Sequence, residues 1–177
     1  MDTNVTNYVN YLSYANYPHL QQMTIKIISP GKTKMTFISE GIQLYLKRLQ
    51  HYLPVEYVEL KETKTKANVE TNRNAENDLL LKQIKPTDFV VLLDEKGKEF
   101  SSVKFAEWLQ QMINKNPRAI VFVIGGAYGF ENILRERANA IITLSRLTFT
   151  HEMARLIFSE QLYRAMTILR NEGYHHQ

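Results

Sequence analysis

The 177-residue chain has no cysteine. That excludes a disulfide framework and any thiolate metal site, and it makes a reducing, cytoplasmic compartment the simplest home. No apolar run approaches the length of a membrane span, and the N-terminus lacks the basic-then-apolar pattern of a secretory signal. Histidine, aspartate and glutamate nowhere recur at metal-ligand spacing; Asp88, Asp94 and Glu95 do not make a set. Charge is nearly missing from Met1–Gln22, where Asp2 is the only formally charged side chain. That stretch carries Tyr8, Tyr11, Tyr14 and Tyr17 among asparagines. It reads as a mobile extension or an upstream start, with a short docking segment as the alternative, and Met23 opens a single domain over residues 23–177.

What remains is an ordinary globular composition, 44% hydrophobic and 23% charged, with a net charge of +4 that leans toward an anionic partner. From Thr24 the pattern alternates between strand and helix. Thr24–Ser29 is a compact strand closed by Pro30-Gly31. Ile38, Ile42, Tyr45, Leu49 and Tyr52 recur at helical spacing, which predicts an amphipathic helix over Thr36–Leu53, ended by Pro54. Val55–Leu60 alternates as a strand and Lys61–Asn68 is a lysine-rich loop. A helix runs to about Lys85, Asp88–Asp94 is a buried strand, and Glu95–Lys98 turns at Gly97. Ser101 or Ser102 caps a helix through Asn114. A central strand, a helix near Phe130–Asn139 and a short strand Ala140–Leu144 follow. The last helix spans about His151 to Asn171, capped by Thr150, carrying Glu152 in its first turn and stopped by Gly173. Five strands alternating with helices predict an α/β domain with a mainly parallel sheet flanked by helices. The last helix is apolar on more than one face, which asks for two partners, the sheet and a second copy of the chain.

The organising stretch is Ile120–Gly129, IVFVIGGAYG, in which a run of β-branched and aromatic residues breaks into three glycines within five positions. Such a run is a strand buried on both faces, delivering a turn at its carboxyl end, where open α/β sheets bind ligands. No Lys-Ser or Lys-Thr follows, so it is no phosphate-cradling loop, and its spacing is GGxxG rather than GxGxxG. Backbone donors without a lysine suit a ligand of low negative charge, such as an adenosine bearing an amino acid. Glycine also ends many buried strands merely to let them turn.

Several motifs stand in one order: Pro30-Gly31-Lys32 after the first strand, LDxxGK at Leu93–Lys98, VFVIGGxxG at Val121–Gly129, LSxLTFxH at Leu144–His151, EQLYRA at Glu160–Ala165, and a terminal Tyr174-His175. As a set, spanning Met23 to His175, they resemble the SPOUT methyltransferases, and among them the RlmH family that methylates N3 of a pseudouridine in bacterial 23S rRNA. The resemblance implies a C-terminal trefoil knot, S-adenosylmethionine as cofactor and a homodimer whose site is completed across the interface. It implies that Leu93, Gly125, Gly126, Leu144, Ser145, Arg146, Leu147, Thr148 and Phe149 line the cofactor site. Two departures stand out: Thr150 where the family commonly has proline, and a tail ending His176-Gln177 where it commonly has a cation.

Methyl transfer is an in-line displacement, so alignment is the main task, and the N3 proton must also leave. Candidates for that chemistry are His151, Arg155, Arg164, Tyr174 and His175. Each has a plainer alternative. His151 can satisfy a helix terminus, Glu160 stands four residues before Arg164 as in an ordinary ion pair, and the tail beyond Gly173 can simply fray. The lysines of Lys32–Lys34 and Lys61–Lys66, with Lys47 and Arg48, are phosphate contacts or a solvated surface. Other functions that fit are a SPOUT enzyme acting on another RNA such as tRNA, and a non-catalytic ribosome-binding factor. An unknotted nucleotide-binding oxidoreductase is disfavoured by the missing GxGxxG.

Overall fold

The computed structural model describes residues 23–61, 68–115, 117–127 and 129–174. The Met1–Gln22 extension, most of the lysine-rich loop, and His175 with the two residues after it lie outside the described residues.

Strands β1 (Thr24–Pro30), β2 (Val55–Leu60), β3 (Phe89–Glu99), β4 (Ala119–Ile124) and β5 (Ala140–Thr143) form one sheet in the order β2-β1-β4-β3-β5. Every pairing is parallel. Alternation along the strands divides the core in two. Ile25 and Ile27, Val91 and Leu93, and Ile120, Phe122 and Ile124 face one layer; Ile28, Val90, Leu92, Val121 and Val123 face the other. The first layer is covered by α1 (Thr36–Leu49), α3 (Ser102–Asn114) and α5 (His151–Leu169), and the second by α2 (Val69–Leu81) and α4 (Asn132–Arg137).

Helix α5 lies between α1 and α3 and packs on both. Phe158 meets Phe122 of the sheet at a ring separation of 4.7 Å and lies edge-on to Phe105 of α3 at 6.5 Å, while Tyr163 meets Tyr45 of α1 at 5.9 Å. The spread of apolar residues around this helix is therefore accounted for within the chain, by the sheet and two flanking helices. A second copy is not needed to explain the pattern.

Several boundaries differ from expectation for local reasons. Helix α1 stops at Leu49, not Leu53, although Tyr52 and Leu53 stay buried. Pro54 forces the residue before it out of helical conformation, so the chain unwinds a turn earlier. Helix α2 ends at Leu81, and Asp88 closes the following turn by accepting from the Lys85 amide at 2.8 Å. Asn139 belongs to the sheet instead of α4: its amide donates to the Val90 carbonyl and its side chain accepts from the Val90 amide, both at 2.8 Å. Helix α5 is stopped by Asn171, which takes the left-handed conformation at φ 54°, rather than by Gly173.

The Leu93–Lys98 motif is a bulge inside β3. Leu93 and Lys98 both pair with Ile142, so the four residues between them are looped out. Gly97 passes so close to β5 that a Cβ there would lie 2.3 Å from the Ile142 carbonyl carbon. Asp94 fastens the bulge, accepting from the Lys96 amide at 2.9 Å and pairing with Arg135 at 2.6 Å.

Candidate functional site

Register places the carboxyl ends of β4 and β5 beside the point where β3 breaks into its bulge, since Leu93 pairs with Ile124 on one flank and Ile142 on the other. Segments leaving these three strands therefore start within about 10 Å of one another, two strand spacings. They are Gly125 onward, the Asp94 bulge, and Leu144–Thr150. Every described residue assigned to cofactor binding lies on or just after these three strand ends.

The glycine turn is held from the opposite face of the sheet by α2. Asn77, 1% exposed, accepts from the Glu131 amide at 2.9 Å and donates to the carbonyls of Gly129 at 3.3 Å and Arg73 at 2.8 Å. Arg73 pairs with Glu131, and the Gly129 amide donates to the Gly126 carbonyl at 3.3 Å. Gly126 is pinched: a Cβ would lie 2.5 Å from Glu76 Oε2 and 2.9 Å from Pro30 Cγ. Gly125 is less crowded, its nearest contact being the Phe130 ring at 3.1 Å. Sequence reasoning missed Asn77. The available signal was a helix carrying Asn72, Glu76 and Asn77 in the positions that turn inward, all three of them buried.

The second loop is shaped by its hydroxyls. Thr143 Oγ1 donates to the Ser145 carbonyl at 2.7 Å and accepts from the Ser145 amide at 3.3 Å, and Ser145 Oγ accepts from the Leu147 amide at 3.0 Å. Thr150 caps α5 by accepting from the Met153 amide, which is the role expected for it in place of proline. Leu147 is 74% exposed, and Arg146 reaches across to Glu99 at 3.2 Å. A cleft of about 40 Å³ runs between this loop, the start of α3 and α5, walled by Phe100, Ser101, Phe105, Thr143, Leu144 and Phe158. It has room for a few waters at most.

Of the described candidates for catalysis, Arg164 and Tyr174 meet, while His151 and Arg155 stand elsewhere on the same helix. His151 opens α5, half-buried. Its neighbour Glu152 accepts from the Lys34 and Met35 amides at 3.0 and 3.1 Å, between the N-termini of two helices. The Met35 bond, seconded by Lys34, holds that carboxyl below the usual range despite burial. Arg155 is fully buried beneath the β1–α1 loop. It donates to the Pro30 carbonyl at 2.6 Å and Thr33 Oγ1 at 3.0 Å, and pairs with Glu59 at 3.3 Å. In this structure Arg155 ties α5 to β1 and β2. Arg164 makes the i,i+4 pair with Glu160 at 2.6 Å. Tyr174 docks at the same place, donating to Glu160 at 3.2 Å, edge-on to Tyr163 at 4.9 Å and beneath the Arg164 guanidinium. Burial, then hydrogen bonding with Tyr45 and the Glu160 charge, pushes the Tyr174 phenol up. Glu160 and Arg164 stand 9 and 13 residues along α5 from His151, about 14 and 20 Å at helical rise from the end of the Leu144–Thr150 loop, and Tyr174 docks between them.

Among the described residues no group of three His, Asp or Glu side chains is placed to hold a metal ion, and no helix is long and apolar enough to cross a membrane. Residues 23–175 match a family model described as "Predicted SPOUT methyltransferase". The chain is 46% identical over 157 residues to "Ribosomal RNA large subunit methyltransferase H" of Christiangramia forsetii, covering 88% of this chain and all of that one. The protein of the same name in Parabacteroides distasonis is 45% identical with the same coverage. A solved "Probable Methyltransferase from Bordetella pertussis Tohama I" superposes with a TM-score of 0.50 at 11% identity, over 90% of this chain and 99% of that one, a likeness of fold alone. With its glycine turn and its Leu144–Thr150 loop brought to one edge of a parallel sheet, the chain belongs to the SPOUT methyltransferase family.

Proposed function

We propose that this protein transfers a methyl group from S-adenosylmethionine to N3 of a pseudouridine in 23S rRNA of the large ribosomal subunit. The observation that carries the reading is the meeting of the glycine turn and the Leu144–Thr150 loop at the ends of β4, β3 and β5, in a chain so similar to proteins named for large-subunit rRNA methylation. Leu93, Gly125, Gly126 and residues 144–149 would hold the donor. Their chemistry fits it: main-chain groups and hydroxyls for ribose and adenine, and apolar Leu93, Leu144 and Phe149, with no lysine among them. When bound, the donor supplies a methyl carbon on a sulfonium, ready for in-line displacement. The protein's own task is alignment and exclusion of water.

In this reading Tyr174 stays protonated at neutral pH and serves as a hydrogen-bond donor to the base, not as the group that removes the N3 proton. Arg164 and the Tyr174 docked beside it stand about 14–20 Å along α5 from the donor loop of their own chain. The protein therefore acts as a homodimer, the tail of one copy completing the site of the other. The trefoil knot belongs to the same proposal and involves β4 through α5, the segment that builds the donor cradle. An enzyme working on ribosomes acts in the cytoplasm.

Calorimetry with S-adenosylmethionine, followed by mass mapping of rRNA from ribosomes methylated by the purified protein, tests the reading. Micromolar binding and one added methyl on a 23S pseudouridine are expected. Absence of donor binding would leave a non-catalytic ribosome-binding factor, and a methyl placed on tRNA instead would overturn the rRNA assignment.

A further inference from the structure

Away from the donor cradle, a cavity of about 230 Å³ lies between α1 and β2, lined by Thr33, Ser39, Ile42, Gln43, Tyr57 and Glu59. Its floor is built rather than incidental. Arg155, fully buried, fixes Thr33 and Glu59 from below and is itself anchored on the Pro30 carbonyl. Glu59 Oε1 accepts from the Thr33 amide at 2.9 Å, the Thr33 hydroxyl, Tyr57 at 3.4 Å and Arg155 at 3.3 Å. Every one of these bonds falls on Oε1. A carboxylate has acceptor capacity on both oxygens, so among the described residues the arrangement locks one and leaves Oε2 to a guest.

We propose that this cavity takes one nucleobase of the RNA substrate, and specifically a base with an exocyclic amino group. The proposal rests on the RNA-substrate reading above. The volume falls below the roughly 300–1,000 Å³ of pockets for drug-sized ligands, and suits a single base rather than a whole cofactor. Glu59 Oε2 accepts from an amino group, the contact carboxylates make with cytosine N4. The Gln43 amide and Ser39 hydroxyl offer both donor and acceptor to the adjoining ring edge, and Tyr57 supplies an aromatic wall of the kind that receives splayed bases. Uracil is refused, because its imino N–H is flanked by carbonyl oxygens that would face the carboxylate. Pseudouridine likewise carries no exocyclic amino group, so this is not the seat of the methylated base but of another nucleotide in the same RNA. Exposed Lys32 and Lys61 follow β1 and β2 at the same edge, where phosphates would pass. Strand β1 neighbours β4, so cavity and glycine turn lie one to two strand spacings apart, about 5–10 Å along the sheet edge.

Saturation-transfer NMR on the full-length protein with CMP, AMP, GMP and UMP provides the direct test. At least one amino-bearing nucleotide should bind fivefold or more tightly than UMP. Gln43 is exposed on α1, so Gln43→Trp fills the cavity without touching the core, and Ser39→Leu narrows it from one turn away. Both variants should lose nucleotide binding, keep wild-type affinity for S-adenosylmethionine, and raise KM for ribosomes at least fivefold with kcat within twofold. Equal binding of UMP, or an unchanged ribosome KM in both variants, overturns the proposal. So does dissociation of the dimer in sedimentation by either variant, which would assign the cavity to a protein contact. Nucleotide discrimination that persists in a wild-type protein unable to methylate ribosomes supports the pocket while refuting the proposed reaction.

Discussion

If α2 shapes the donor cradle, Asn77→Ala should weaken a ligand that Asn77 itself never touches. The side-chain amide holds both ends of a short arc, the Glu131 N–H at 2.9 Å and the Gly129 carbonyl at 3.3 Å. Its loss leaves one well-made donor and one weakly bonded acceptor without partners at a site where Asn77 is 1% exposed. An unsatisfied buried group costs about 1–3 kcal/mol, and the longer bond belongs at the low end, so about 2–4 kcal/mol of stability should go. The freed arc must then be ordered again on binding. Fixing one backbone residue costs about 1–2 kcal/mol, which converts to a loss of about five- to thirtyfold in donor affinity. Urea denaturation measures the first quantity, and calorimetry with S-adenosylmethionine on the folded variant measures the second. Asn77→Asp keeps an acceptor for Glu131 but loses the donor to Gly129, and should fall between alanine and wild type in both. A variant that loses the expected stability while binding the donor within twofold of wild type would show that the turn holds its own shape.

Other expectations follow from the same contacts. Breaking the Arg155–Glu59 pair should cost more from the glutamate side, about 3–5 kcal/mol for Glu59→Leu, because Arg155 is 0% exposed while the Glu59 side chain retains 24%; urea midpoints should also show Glu59→Leu with Arg155→Met losing less than the two singles summed. The Glu152 carboxyl titrates below its unfolded value in the folded protein, so its stabilisation is complete above the unfolded pKa and is lost as pH falls through the folded one. Glu152→Gln should thus cost about 1–2 kcal/mol at neutral pH and little in strong acid, read as converging thermal midpoints of variant and wild type. Gly126→Ala drives a methyl into Glu76 and Pro30 and should reduce donor affinity more than Gly125→Ala, where only the Phe130 ring must yield; calorimetry ranks the two. Truncation after Gly173 should leave donor affinity intact and abolish turnover on ribosomes, and full activity in that truncation would reduce the tail to a fraying end.

The strands and the glycine turn were legible because their signals are local. A buried β-run that breaks into glycines announces its own carboxyl end, and Thr150 before a helical stripe announces a cap; both stand where expected. Helix ends were less legible wherever a neighbour decided them. Asn139 looks helical until the Val90 backbone claims both its amide and its side chain. The catalytic candidates were least legible, since partners distant in sequence set their roles. Nothing near Arg155 announces that Pro30, Thr33 and Glu59 will enclose it, and nothing near Asn77 points to a loop more than fifty residues on.

In the proposed reaction, helix α5 keeps apart the groups that a single chain would have to bring together. Its first turn is fixed by Thr150, Glu152 and Arg155, which bind it to its own start, to the β1–α1 loop and to β2. Its middle and later turns carry Glu160, Tyr163 and Arg164, against which Tyr174 docks, with Tyr45 of α1 and Tyr52 just after it packed on Tyr163. A regular helix is stiff, and it holds the Glu160–Arg164 cluster about 14–20 Å along its axis from the loop that precedes His151. In the proposed dimer, another copy of the chain brings Arg164 and Tyr174 to the base held by that loop. A heterodimer joining one subunit with a disabled donor loop to one with a truncated tail should keep one functional site, and activity near half that of wild type would demonstrate completion across the interface. Were such mixed dimers inactive, Tyr174 would be acting only as the packing element it is within its own subunit.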